Sequence, residues 1–167
     1  HRDTVEVYGS AMQLRPEKIH TGRSRFKEES AEIKEMAFKA LKMKVGVGPK
    51  DDIKLIEAVR RGIGDNFRFM VDANHGYTTH DALYVGRAME EFSPYWFEEP
   101  VAPEDLDGYR ELRAFLKVNI SGGEAEFNRW GWRKLLESRG LDIAQPEVCA
   151  LGGISEYLRA VSYTHLT

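Results

Sequence analysis

Short, dense apolar runs alternate along this chain with longer stretches in which apolar residues recur at helical spacing, and few folds accept that order. The runs cover residues 5–8, 40–45, 67–73, 95–98, 118–121 and 141–145. Each is too short for a helix and several are bounded by Gly or Pro, which marks them as strands. Phe67, Phe69, Met70 and Val71 show little polar alternation, as suits a parallel strand covered on both faces. Between the runs, Ile33, Met36, Ala37 and Ala40 keep a helical period, as do Leu55, Ile56, Val59 and Ile63, and then Ala82, Val85, Met89 and Phe92. Further helices are predicted around Leu106, Tyr109 and Leu112, around Trp130, Leu135 and Leu136, and around Ile154, Tyr157, Leu158 and Val161. Start signals agree: Pro49 precedes Asp51 and Asp52, Thr78 precedes Asp81, and Pro103 opens the segment before Leu106.

Strictly alternating strands and helices make an α/β chain, either an open doubly wound sheet or a closed (β/α) barrel of the TIM type. The acidic residues favour the barrel. Asp72 ends the third run, Glu98 ends the fourth and Glu124 follows the fifth, with the same spacing between successive acids, about one βα unit. In a parallel barrel the C-terminal strand ends share one face, so the three carboxylates converge there. Each acid alone could serve as a helix cap; it is their joint spacing that argues for one site. Ionised carboxylates in one pocket repel, and a divalent cation is their natural neutraliser; a set of hard oxygen ligands points to Mg²⁺. Glu98 rather than Glu99 keeps the spacing, because adjacent strand residues face opposite ways.

Lys42 and Lys44 lie two apart in the second run and therefore share a face. Inward-pointing lysines need an opposite charge or a function. Mutual repulsion, with a cation nearby, makes a neutral amine accessible, and Lys44 is the candidate base. Asn74 returns to the pocket side if the third strand continues past Asp72, where it could bond substrate; a turn-forming Asn is the competing reading. His75 could touch substrate hydroxyls; an exposed loop histidine is the competing reading. Gly152 and Gly153 suit a tight turn better than a phosphate cradle.

The 167 residues suffice for one ordinary domain, and 42% hydrophobic with 31% charged content suits a globular chain. A formal charge of −3 with interspersed signs offers no basic stripe, so nucleic acid is not an expected partner. No apolar run reaches membrane-spanning length and the first residues lack a leader pattern, so a cytoplasmic protein without a membrane partner is expected. Cys149 is the single cysteine and is read as a small packed residue.

The segments LKMKVG, VDANHGY, WFEEP, SGGE and IAQPE followed by LGGISE resemble successive strand ends of the mandelate racemase subgroup of the enolase superfamily. VEVYGSA is similar to the first barrel strand of that family. The resemblance implies a barrel of which about six βα units are present, residues 1–161, with the family's N-terminal capping domain absent; the apolar spacing degrades at residues 162–167, which are read as a tail of separate origin. It implies Asp72, Glu98 and Glu124 as Mg²⁺ ligands, Lys44 as base and Lys42 as its helper near the substrate carboxylate. Glu147 stands where the family usually has an Asp that orients a catalytic His; here the residue is Glu. The implied reaction is removal of the proton beside a carboxylate through an enediolate. The acid-sugar members are the nearest in motif, which points to dehydration or lactone opening of a sugar acid, with racemisation of a 2-hydroxy acid or metal-dependent binding without turnover as alternatives. The full-length parent is expected to be a homo-oligomer acting on a small carboxylate substrate.

Overall fold

The computed structural model describes residues 3–11, 22–36 and 38–163, residues 22–25 by backbone alone. Six parallel strands stand in chain order in one sheet: β1 (Gly9–Ala11), β2 (Ala40–Lys44), β3 (Arg68–Asp72), β4 (Trp96–Glu98), β5 (Asn119–Gly122) and β6 (Ile143–Ala144). The helices that follow them are α1 (Gly22–Glu35), α2 (Pro49–Ile63), α3 (Thr79–Met89), α4 (Leu106–Phe115), α5 (Arg129–Glu137) and α6 (Ile154–Tyr163). Because each strand pairs only with its neighbours in sequence, the sheet is the wall of a (β/α) barrel. A doubly wound sheet would reverse its order at a switch point.

Strand alternation sorts the side chains. Leu41, Met43, Val45, Phe69, Val71, Ala73, Phe97 and Ile120 pack with Leu55, Ile56, Val59, Val85 and Leu112 into the main core. Each such fully buried side chain contributes about 1.5–3 kcal/mol. The alternate positions, Lys42, Lys44, Met70, Asp72, Trp96 and Glu98, take the opposite, inward face. Register puts Lys44 opposite Asp72, Asp72 opposite Glu98 and Glu98 opposite Ser121, so the inward charges share one level. At the other end of β3, the buried Arg60 guanidinium donates to the carbonyls of Phe67, Phe92 and Gly64 at 2.7, 2.9 and 2.9 Å, satisfying backbone that no strand pairs.

Thr78 caps α3, accepting from the Asp81 N–H at 3.2 Å, and Pro49 opens α2, as the sequence predicts. Elsewhere the structure departs from expectation. Residues 5–8 are not paired; β1 begins at Gly9, and Val5 and Val7 are exposed. Helix α1 stops at Glu35, leaving Met36 exposed, and Ala40 belongs to β2, whose ladder holds it; Ala37 lies outside the described residues. The cap of α4 is Asp105, which accepts from the Gly108 N–H at 2.9 Å, and Pro103 stays in the loop. In α5 Trp132 and Leu135 face the core while Trp130 is exposed, because the buried face of the helix packs on the Gly123 turn, Leu151 and α6. In α6 Ala160 is buried and Tyr157 partly so, whereas Ile154 and Leu158 are exposed. That helix continues through Ser162 to Tyr163, while residues 164–167 lie outside the description. Cys149 is exposed rather than packed; the turn that holds it buries Leu151 instead. Among the described residues no helix is long and apolar enough to cross a membrane.

Candidate active site at the strand ends

The inward ends of β2, β3 and β4 hold one charged network. Lys42 Nζ donates to Glu98 Oε1 at 2.6 Å and stands 3.0 Å from Asp72 Oδ2. Lys44 Nζ donates to that same Asp72 oxygen, so both lysines face inward, as their spacing requires. The remaining oxygens are also engaged: the Asn74 N–H donates to Asp72 Oδ1 at 3.0 Å and the Trp96 indole to Glu98 Oε2 at 2.8 Å. Lys42, Asp72 and Glu98 are buried, so each charge depends on its partners for stabilisation.

The electrostatics follow from that burial. Burial pulls the Lys42 ammonium down, but the hydrogen bond and charge of Glu98, with those of Asp72, outweigh it and hold Lys42 above the ordinary lysine range. Repulsion between amines was expected to favour a neutral lysine; at Lys42 two carboxylates reverse that direction. Asp72 would be raised by burial, yet the bond from Lys44 and the charge of Lys42 keep it below its usual value. At Glu98 burial prevails over the Lys42 bond and the carboxyl is raised. Burial first, then the charges of Glu124, Asp72 and Glu98, push Glu99 up to about 7.

Glu99 therefore belongs to the same mouth. Strand alternation alone would turn it away, but β4 ends at Glu98 and Glu99 adopts a left-handed φ of 41°, which re-aims its buried side chain. Asn74 and His75 are likewise left-handed, at φ 43° and 64°. The third strand does not continue past Asp72; Asn74 is an exposed turn residue whose backbone serves Asp72. His75 Nδ1 lies 3.2 Å from the Val101 carbonyl oxygen and Nε2 3.1 Å from Glu99 Oε2, which places the ring over the β3 and β4 loops. Glu124 is exposed in the loop after β5, close enough for its charge to act on Glu99. Glu147 is exposed beyond β6, where its Oε2 accepts from the Ala150 N–H at 2.5 Å and caps the turn. Gly152 and Gly153, at φ 90° and 109°, serve that same turn.

Three participants escaped sequence reasoning. Trp96 and Gln145 both bond Glu98, and Ser121, opposite Glu98, is buried with its hydroxyl unpartnered. The inward parity of Trp96, two residues before Glu98, is the one signal that could have found it.

Among the described residues no three His, Cys, Asp or Glu side chains stand together as a finished metal cage. The donor set nevertheless fits Mg²⁺. Asp72 and Glu98 pair with Lys42 and Lys44, and beside them the charges of Asp72, Glu98 and Glu124 all act on Glu99. Four formal negative charges against two positive leave an imbalance that a divalent cation with hard oxygen ligands would cancel.

The family described as enolase C-terminal domain-like matches residues 25–165. D-galactarolactone cycloisomerase of Agrobacterium fabrum is 40% identical over 157 residues, covering 93% of this chain and 40% of that protein. The crystal structure of 3,6-anhydro-D-galactonate cycloisomerase from Zobellia galactanivorans superimposes with a TM-score of 0.89 at 40% identity, over 97% of this chain and 44% of the other. L-talarate dehydratase of a Polaromonas species, solved with Mg and L-glucarate, gives a TM-score of 0.89 at 28% identity, over 99% of this chain and 46% of the other. The chain thus spans less than half the length of each of these relatives.

Proposed function

The chain belongs to the enolase C-terminal domain-like family, and on that footing we propose that the protein containing it removes the proton beside the carboxylate of a sugar acid or its lactone. The reaction ends in loss of a β-hydroxyl or in opening of the lactone ring. The observation that carries this reading is the buried network of Lys42, Lys44, Asp72 and Glu98 at the ends of three adjacent strands. Relatives named as sugar-acid cycloisomerases and dehydratases support it.

A proton beside a carboxylate is weakly acidic because its loss puts a second negative charge on the same group. Mg²⁺ held by Asp72, Glu98 and Glu124 would supply the positive charge that offsets it. Lys44 is the more exposed of the two amines, with 23% of its side chain accessible against 8% for Lys42. It is the one able to meet substrate and take the proton. Lys42, clamped between Asp72 and Glu98, keeps a fixed positive charge beside the substrate carboxylate. His75, at the rim, is placed to bond substrate hydroxyls.

The full-length protein incubated with a sugar-acid and lactone library in D₂O tests this. With Mg²⁺, one or more substrates should exchange the α-proton and turn over; with chelator, none should. Lys44→Ala should abolish exchange while Mg²⁺ affinity, measured by calorimetry, persists. Mg²⁺-dependent binding of a sugar acid without exchange would identify a binding module instead and overturn the proposal.

A further inference from the structure

Asp52 is a fully buried acid outside the charged network. An Asp in the first turn of a helix ordinarily faces solvent, where it complements the helix dipole. Its neighbour Asp51 does so, pairing with Lys54 at 2.9 Å. Burying Asp52 is unfavourable unless its carboxylate recovers the lost hydration, and the partners it finds come from two different strand-end loops. Oδ2 accepts from the N–H groups of Gly46 and Gly48, at 3.1 and 2.9 Å, and from the Tyr77 hydroxyl at 2.6 Å.

Gly46 and Gly48 form the loop directly after Lys44, and Tyr77 ends the turn after Asp72. The two loops touch closely. Gly46 has φ 109°, and a Cβ there would stand 2.7 Å from the Ala73 carbonyl oxygen. The Val45 N–H donates to the Asp72 carbonyl at 2.8 Å. Tyr77 extends the link to the third loop: its N–H donates to the Pro100 carbonyl at 3.2 Å, and its ring lies 6.1 Å from that of Phe97. One buried carboxylate and one hydroxyl thus join the loops after β2 and β3, and the Tyr77 backbone and ring carry the link on to the end of β4.

The structure assigns Asp52 and Tyr77 a positioning role: they brace the two loops that fix where Lys44 and Asp72 point. The assignment rests on the proposed role of Lys44 as base, since proton transfer is sensitive to small displacements. A shift of about 1 Å can cost on the order of a hundredfold in rate.

The test uses full-length Tyr77→Phe, Asp52→Asn and Asp52→Ala, with Lys44→Ala as control. Amide deuterium uptake of the segments 45–48 and 74–77 is followed by mass spectrometry beside kcat and KM for α-proton exchange. In Tyr77→Phe both segments should exchange faster together, the rest of the barrel unchanged, and kcat should fall about tenfold with KM within about twofold. Asp52→Asn, which keeps an acceptor oxygen, should recover much of the kcat lost in Asp52→Ala. Should Asp52→Ala fail to fold, the other two variants carry the comparison. Unaltered amide uptake in both segments overturns the assignment, and so does faster uptake with unchanged kcat, which leaves a merely structural contact. If the wild-type protein exchanges no α-proton, the reading of Lys44 fails separately. The brace is then decided by amide uptake together with the rate of Lys44 acylation by an activated ester. Both should rise in Tyr77→Phe, and wild-type values for either would count against it.

Discussion

Trp96 donates to a buried carboxylate oxygen of Glu98 at 2.8 Å, and replacing it with Phe retains an aromatic ring while leaving that oxygen one donor short. Trp96→Phe should destabilise the full-length protein by about 1–3 kcal/mol, read from the urea midpoint at constant m-value; an unmoved midpoint would show that Gln145 suffices. A second consequence concerns alkaline pH. Burial first, then the charge and hydrogen bond of Asp52, push the Tyr77 hydroxyl above its ordinary 10.0. Burial first, then Glu99, does the same to Tyr109. The folded chain therefore holds these protons more tightly than the unfolded one. Stability is intact below about pH 10 and falls as pH rises past it, by up to about 1.4 kcal/mol per unit for each group. Tyr77→Phe should make the alkaline limb of a stability-against-pH curve shallower by one proton's slope, and parallel limbs would refute the point. Lys42 and Lys44 were legible in the sequence because residues two apart on a strand share a face, and Asp72 and Glu98 because they end successive strand runs one βα unit apart. Gln145 and Asp52 were not, since a lone polar residue carries no sign of the partner that folding brings to it, and Trp96 offered only its inward parity.

Helices α1 and α2 approach closely at Gly62, where an added Cβ would press on Ser30 Oγ and on the Lys27 carbonyl. Alanine is the better helix former by about 1 kcal/mol, but overpacking of about 1–3 kcal/mol opposes it. Gly62→Ala should lower the thermal midpoint, and a raised midpoint would mean that α1 simply moves aside. The element order was readable throughout, because hydrophobic period is a local property of bond geometry. Which stripe of a helix is buried was less so. Trp130 and Trp132 lie two apart on α5, and only packing against the Gly123 turn, Leu151 and α6 selects Trp132; on α6 the same cluster selects Ala160 over Ile154 and Leu158. The unpaired stretch 5–8 failed for a related reason: alternating apolar residues permit a strand, but among the described residues β2 pairs its edge with Gly9–Ala11 and not with 5–8.

At the barrel mouth Asp72 and Glu98 pair with two lysines, and Glu99 and Glu124 add their charge nearby; a cation that binds only the folded protein must stabilise it. Mg²⁺ at about a hundred times its Kd should add about 2.7 kcal/mol relative to chelator, measured by denaturant unfolding of the full-length protein. Asp72→Asn should remove most of that difference; an identical gain in the variant would place the ion elsewhere. The amino-acid order alone determined a parallel wall of βα units with acids and amines at one end, because strand parity and repeat spacing are written into neighbouring residues. Only the tertiary structure decided that Glu99 turns back into the mouth, that Glu124 stays exposed, and that Asp52 reaches Tyr77. Those outcomes depend on backbone angles at strand ends and on contacts between segments far apart in the chain, where no local pattern reaches.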